Sequence, residues 1–336
     1  LHALLGEPAY SVPAERRTAA LLQGLNALTD HHHRHSPEYA RIIRGAWRDR
    51  TQADRIDDVP YLPVSLFKTH DLRSVPQEAV RLTMTSSGTT GQAVSRIAVD
   101  ADTSLMQQRA LANSLAHVLG AKRLPMLVID TSEVFKNPRM MSARGAGVLG
   151  MMRFGHDHAF ALDAAMAPNI EAVRDFLQRY GSQPFFMFGF TFIVWLQFYE
   201  QFKGLGLDFS NAILIHSGGW KKMAERAIGN EEFRAALGTE FGLGKIHNFY
   251  GMVEQLGSIF LEGADNLLYP PNFSDVLIRC PETWEVLPVG QPGVIQVVSL
   301  LPHSYPGHSL LTEDLGVIEA VDPTPGRWMG HGLRVL

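Results

Sequence analysis

The chain has 336 residues, 46% apolar and 19% charged, a composition that suits a globular protein of two or so packed units and excludes a disordered one. Its 30 basic and 34 acidic side chains nearly cancel and form no block of like charge, so no nucleic-acid or anionic-membrane partner is indicated. A lone cysteine, Cys280, excludes an internal disulfide framework and fits a reducing cytoplasm, the expected location. Residues 1–10 lack the basic-then-apolar pattern of a secretory signal, and the chain as given does not begin with Met.

From 14 to 47 apolar residues recur at helical spacing, with Leu21, Leu22, Leu25 and Leu28 in one stripe and Tyr39, Ile42, Ile43 and Trp47 in a second. Two prolines in Asp58-Val59-Pro60-Tyr61-Leu62-Pro63 end that pattern. Residues 80–84 read as a strand. Further on, 125–130 reads as a buried strand, 169–180 as an amphipathic helix, and 185–188 and 212–216 as strands. The apolar run 185–195 is too short to span a bilayer and meets Gln197 and Glu200 at once, so it reads as a buried strand and helix start, and no membrane span is expected. Strand–helix alternation of this kind implies an α/β fold with a largely parallel sheet. After about Pro270 short strands at 276–279 and 293–298 are separated by Pro/Gly turns, which implies a small antiparallel β-rich subdomain. The expected organisation is a helical segment over 1–75, an α/β core over 76–270, and a β-rich subdomain of the same large domain over 271–336.

The run Thr85-Ser86-Ser87-Gly88-Thr89-Thr90-Gly91 follows the strand at 80–84. Such a backbone, free of bulky side chains, can wrap its N–H groups around phosphate oxygens, while the hydroxyls add donors. The same residue types make ordinary polar strand-to-helix turns, and the run alone leaves both readings open. It is not a Walker loop, because no Gly-Lys-[Ser/Thr] follows. Three other segments stand out: Ile215-His216-Ser217-Gly218-Gly219-Trp220, whose paired glycines would let a flat ring lie on the backbone; Asn248-Phe249-Tyr250-Gly251-Met252-Val253-Glu254; and Leu311-Thr312-Glu313-Asp314-Leu315-Gly316, read as a turn carrying a carboxylate.

In this order and spacing the four segments resemble the ANL superfamily of adenylate-forming enzymes, which includes acyl-CoA synthetases, peptide-synthetase adenylation domains and luciferases. Further details, namely His31-His32-x-x-x-Ser36-x-x-Tyr39, Ser86-Ser87-Gly88-Thr89-Thr90-Gly91 and Tyr250-Gly251-Met252-Val253-Glu254-Gln255, resemble LuxE-type acyl-protein synthetases and related acid-activating proteins of antibiotic and polysaccharide pathways. The resemblance covers most of the chain. It implies the large N-terminal domain of such an enzyme, using ATP and Mg²⁺ to activate a fatty or aromatic acid as an acyl-adenylate with pyrophosphate release. The acyl group would then pass to a thiol of a protein cysteine, a carrier phosphopantetheine or CoA.

Ser86, Ser87, Gly88, Thr89, Thr90 and Gly91 look like the phosphate loop, with Thr89 and Thr90 on the β- and γ-phosphates. Ser217, Gly218 and Gly219 look like the adenine wall. Tyr250-Gly251-x-x-Glu254 looks like the aromatic-plus-acid motif, with Tyr250 stacked on adenine and Asn248 and Gly251 beside it at the nucleotide. Thr312 and Asp314 look like the ribose site, and Glu254 would hold Mg²⁺. The acid pocket would involve Phe188, Gly189 and Phe190 with Met252 and Val253. Such a reaction needs charge neutralisation far more than proton transfer, and phosphate-bound Mg²⁺ takes one or two carboxylates. Read residue by residue, each has a plainer role open to it: a surface acid for Glu254 and Asp314, a core aromatic for Tyr250 or the phenylalanines.

Two departures stand out. The superfamily's lysine after the phosphate loop is replaced by Gln92-Ala93-Val94-Ser95-Arg96, so that contact is missing or passes to Arg96. The chain as given stops at Leu336, so the resemblance implies that the mobile C-terminal domain with its catalytic lysine is absent, and no residue here matches that lysine. LuxE-type proteins have instead a short tail with an acyl-accepting cysteine; Cys280 does not match it and reads as a small buried thiol before Pro281. The alternative is therefore a catalytically weak or partner-dependent acyl-adenylate-binding subunit, working with a partner or a second copy. His31, His32, His33 and His35 read as a polar helix edge, and His156 and His158 as a loop beside the substrate cleft, in preference to zinc sites.

Overall fold

The helical spacing at 14–47 becomes two helices in the computed structural model, Ala14–His35 and Pro37–Trp47. Pro37 cannot donate to a continuing ladder, and the Ser36 hydroxyl caps the second helix by accepting from the Tyr39 amide at 3.4 Å. The structure describes residues 1–86, 94–135, 143–219, 228–323 and 328–336. The chain divides into two units, 1–117 with 251–336, and 118–250. The breaks expected at 75/76 and 270/271 both fall inside the first unit.

In the first unit Leu21, Leu25 and Leu28 pack with Phe273, Leu277, Val298, Leu300 and Leu301 in one apolar cluster. The strands behind that cluster are antiparallel, as the Pro/Gly-punctuated C-terminal texture implied. Their order is Ser274–Arg279, Gly293–Ser299, Ser309–Val321, His331–Val335, Leu268–Tyr269 and Phe260–Glu262. Leu62–Pro63 adds a short parallel pairing to Ser309–Val321. Leu82–Thr85 and Arg96–Val99 form a separate antiparallel pair.

The second unit is a parallel α/β sheet. Its strands lie in the order Gly155–Leu162, Leu124–Thr131, Phe185–Phe190, Ala212–Ser217, Lys245–Tyr250. Parallel neighbours require crossovers, and helices Ala143–Met152, Ile170–Tyr180 and Asn230–Phe241 provide three of them. A shorter helical stretch runs from Thr191–Ile193 through a π-helical turn, Val194–Tyr199, to Glu200–Phe202. Asn169 caps Ile170–Tyr180 by accepting from the Ala172 amide at 3.2 Å. The chain leaves Leu124–Thr131 first toward one edge and later toward the other, so a topological switch point falls between that strand and Phe185–Phe190. Open α/β sheets bind ligands beyond the carboxyl ends of the strands at such points.

The loop expected around His156 and His158 is instead the start of the edge strand Gly155–Leu162. Edge strands tolerate polar residues, and the register slips by one residue where Asp157 adopts φ 46°, so loop-like composition is accommodated as a bulge. Among the described residues no helix is long and apolar enough to cross a membrane.

One buried charge network fastens the helix Ala14–His35 to its sheet. Arg17, fully buried, donates to Asp275 at 2.8 Å and to the Pro270 carbonyl at 3.3 Å, and His331 Nδ1 lies 2.7 Å from Asp275. Burial pushes the Asp275 carboxyl up, but the charges of Arg17 and His331 outweigh that and hold it down to about 2. Its stabilisation is therefore complete above pH 3.8 and is lost as pH falls toward 2. Arg17→Ala strands a buried carboxylate and is expected to cost about 3–5 kcal/mol in urea unfolding at neutral pH. A loss below about 1 kcal/mol, the worth of an exposed pair, would show that the network does not anchor the helix.

Candidate active site

In the first unit the Ser/Thr/Gly run joins two antiparallel strands, with Leu82 opposite Val99 and Thr85 opposite Arg96. The elements flanking the run are therefore the two arms of an antiparallel pair, and a strand, not a helix, follows it. Ser86 and Ser95 close its mouth: the Ser95 amide donates to Ser86 Oγ at 3.0 Å, and the Ser86 amide donates to the Ser95 carbonyl at 3.3 Å. Ser87, Gly88, Thr89, Thr90 and Gly91 lie outside the described residues. Arg96 is exposed and has no ion-pair partner among the described residues.

Glu254 sits in the tight turn Val253–Gln255, preceded by the exposed Gly251 and the half-buried Met252. Its neighbour Gln255 is locked by donating to the carbonyls of Val297 at 3.2 Å and Gly307 at 2.9 Å. Glu254 is 5% exposed, yet its carboxylate has no hydrogen-bond donor or cation among the described residues. A carboxylate with no cation beside it among the described residues is a hard oxygen ligand of the kind phosphate-bound Mg²⁺ takes, so the residue present suits Mg²⁺.

Thr312 and Asp314 do not form the expected turn. They lie within the continuous strand Ser309–Val321, where Leu311 pairs with Gln296 and Leu315 with Val294. Three residues, Thr312 to Asp314, thus oppose Ile295 alone, and the surplus bulges out. Thr312 Oγ1 holds the bulge by donating to the Ile295 carbonyl at 2.9 Å and accepting from the Asp314 amide at 3.2 Å. Asp314 itself is exposed.

In the second unit the expected residues cluster at the carboxyl ends of three adjacent strands: Phe190 ends one, Ser217 the next, and Tyr250 the third. Ser217 Oγ donates to the Phe249 carbonyl at 2.9 Å and ties two of those ends together. Gly218 follows with φ 86°, and a Cβ there would meet only the Phe190 ring at 3.4 Å; at Gly219 it would meet nothing within 4 Å. Both glycines are exposed, while Asn248 and Tyr250 are half-buried. Phe188 is 1% exposed, and a Cβ on Gly189 would lie 2.8 Å from Val194 and 2.9 Å from Ile129, so these two are interior. Phe190 is half-buried, edge-on to Phe188 at 5.7 Å, and its ring lies 3.1 Å from where a Cβ of Gly147 would be.

Two polar pairs at these strand ends escaped the sequence reading. Asp130, which ends the apolar run at 125–129, takes a two-pronged ion pair from Arg144, whose Nε lies 2.8 Å away. Asp130 is 1% exposed and sits at the switch point; an acid closing an apolar strand was the available signal. The second is His216, whose Nδ1 lies 2.9 Å from Thr191 Oγ1 directly before the Ser217-Gly218-Gly219 run. Burial first, then the charges of Arg234 and His247, push its imidazole down to about 3, so it is neutral at physiological pH.

The fold is found in several solved structures. A 2-hydroxyisobutyryl-CoA ligase solved with 2-HIB-AMP and CoA superposes at a TM-score of 0.69, with 16% identity over 97% of this chain and 70% of that one. The amide bond synthetase McbA from Marinactinospora thermotolerans aligns at 0.53, with 19% identity over 85% of this chain and 53% of that one. ATP-bound MatB from Rhodopseudomonas palustris aligns at 0.52, with 14% identity over 78% of this chain and 49% of that one. At these identities the likeness is of fold, and the fold is that of the large domain of adenylate-forming enzymes.

Residues 13–336 match the acyl-protein synthetase family LuxE, and the chain belongs to that family. It is also 29% identical over 108 residues to a long-chain-fatty-acid–luciferin-component ligase of Vibrio harveyi, a match spanning 31% of this chain and 28% of that ligase.

The two glycines of the adenine-wall motif differ in what a side chain would cost. Gly218→Ala forces a Cβ into a left-handed conformation and is expected to lose about 1–2 kcal/mol in urea unfolding. Gly219→Ala, in open space, is expected to change stability by under about 0.5 kcal/mol. Equal losses would show that φ at Gly218 is not the constraint.

Proposed function

We propose that this chain activates a carboxylic acid, fatty or aromatic, with ATP and passes the acyl group to a thiol of a protein, a carrier or CoA. The observation that carries the reading is the family match over residues 13–336. The 2-HIB-AMP, CoA and ATP present in the solved relatives belong to the same class of ligands. An oxygen of the acid attacks the α-phosphorus of ATP, the new acyl–phosphate bond forms, and the α–β phosphoanhydride breaks with pyrophosphate leaving. A thiolate then attacks the acyl carbon, forming a thioester and releasing AMP.

Each unit contributes residues to this chemistry. In the first, Ser86 to Gly91, with Thr89 and Thr90, cradle the β- and γ-phosphates, and Asp314 on its bulge accepts from the ribose hydroxyls. Glu254 would hold Mg²⁺, which when bound neutralises phosphate charge. In the second, Gly218 and Gly219 offer open backbone to the adenine face, Tyr250 stacks on it, and Ser217 and Asn248 edge it. In the second unit Phe190, with Phe188 and Gly189 behind it, is assigned to the acid; in the first unit Met252 and Val253 are assigned to the acid as well. A cytoplasmic setting, where the acceptor thiol stays reduced, belongs to the same reading.

The test is pyrophosphate release from ATP and Mg²⁺ across a panel of fatty and aromatic acids, with hydroxylamine trapping the acyl-adenylate. Acid-dependent release is expected. Glu254→Gln should lower kcat/KM for ATP about a hundredfold, and Asp314→Ala about tenfold. Silence with every acid while ATP still binds would make the chain a partner-dependent acyl-adenylate-binding subunit. Absence of ATP binding would remove the nucleotide reading altogether.

A further inference from the structure

The segment His31-His32-x-x-x-Ser36-x-x-Tyr39 has no part in the chemistry above, yet His32 is fully buried at the end of helix Ala14–His35. We propose that His32, Ser74 and Ser304 are positioning residues for nucleotide binding. Through the segment 302–308 they align both the strand that follows the phosphate loop and the turn that carries Glu254. The inference rests on the adenylation reading.

Both ring nitrogens of His32 are engaged: Nε2 lies 3.1 Å from the Pro302 carbonyl and Nδ1 lies 2.8 Å from Ser74 Oγ. A carbonyl can only accept, so Nε2 carries the proton and Nδ1 accepts from the serine hydroxyl. The ring thereby fixes the direction of the Ser74 hydroxyl as well as its place. The Ser74 amide donates to the Ser304 carbonyl at 2.8 Å, and the Ser304 hydroxyl donates to the Ala98 carbonyl at 2.9 Å. Ala98 pairs with Thr83 in the hairpin whose strands end at Thr85 and Arg96, either side of the Ser/Thr/Gly run. A chain of polar contacts therefore runs from the N-terminal helix to the base of the phosphate loop.

The far end of the same segment reaches the acid motif. The Gly307 carbonyl accepts from Gln255 at 2.9 Å, and a Cβ on Gly307 would sit 2.6 Å from the Glu254 carbonyl oxygen. His308 Nε2 lies 2.9 Å from Thr29 Oγ1, one turn before His32 on the helix, and the His308 and His32 rings stack at 4.9 Å. Segment 302–308 is thus held at Pro302, Ser304, Gly307 and His308, with the His32 helix at both ends and the two nucleotide-binding elements between.

Packing alone does not call for this arrangement. The Arg17–Asp275 pair and the apolar cluster already hold the same helix to its sheet, whereas here His308 Nδ1 is buried without a hydrogen-bond partner among the described residues. Hydrogen bonds constrain angle as well as distance, so a polar chain defines geometry that apolar contacts leave loose.

The test compares Mg·ATP dissociation constants, by titration calorimetry on the whole chain, for Ser304→Ala, Ser74→Ala and His32→Ala. A control is Val173→Ala, a cavity in the buried core of the second unit that lowers the melting temperature without touching the chain of contacts. The Ser304 and Ser74 variants are expected to bind Mg·ATP about five- to tenfold more weakly, the scale of one lost buried hydrogen bond. The control should bind as the unaltered chain does, and KM for the acid should stay unchanged in Ser304→Ala. If His32→Ala does not fold, the serine variants decide. Unchanged Mg·ATP affinity in both serine variants overturns the inference and leaves the adenylation reading standing. Failure of the unaltered chain to bind Mg·ATP removes both.

Discussion

A carboxylate in a dry interior stays charged only if cations are buried with it, and Asp275 of the first unit meets that condition through Arg17 and His331. Much else in that unit follows. Arg17 lies in the first turns of Ala14–His35, so the pair fixes where the helix begins on its sheet, and the Leu21, Leu25 and Leu28 stripe fixes its rotation. With start and rotation set, the far end of the helix can deliver Thr29 and His32 only to one place, the segment 302–308. The sequence distance between these partners is large, so nothing local holds them together; the buried charge does.

The second unit obeys a different constraint. Parallel strands joined by helical crossovers put all their carboxyl ends on one side, which is why Thr131, Phe190, Ser217 and Tyr250 share a sheet edge although they are far apart in the chain. Glycine at 218 then serves two ends at once: it takes the left-handed turn off the strand and leaves the backbone bare. The neutral His216 and the buried Asp130, paired with the partly exposed Arg144, lie just behind that edge.

Periodic features were legible in the sequence. The leucine stripe, the apolar strand at 125–130 and the amphipathic helix at 169–180 each carry enough repeats to define an element without outside help. Features set by a distant partner were not. Thr312, Glu313 and Asp314 have the composition of a turn, but Leu311 and Leu315 both have strand partners in Gly293–Ser299, and pairing converts the turn into a bulge. Gly155 to His158 looked like a loop until Leu124–Thr131 supplied a neighbour. Of the site, the order of the four motifs was readable. The solitary carboxylate of Glu254 and the lock on Gln255 come from packing across many residues, and the Asp130–Arg144 pair depends on a topology no local pattern announces.

In the proposed adenylation a carboxylate oxygen of the acid becomes bonded to the α-phosphorus of ATP. The most direct measurement follows ¹⁸O from a doubly labelled acid through one turnover with a thiol acceptor, reading AMP, phosphate and pyrophosphate by mass spectrometry. One labelled oxygen is expected in AMP and none in pyrophosphate, because the acyl–oxygen bond breaks when the thiolate attacks. Label in inorganic phosphate, or in none of the products, would contradict it.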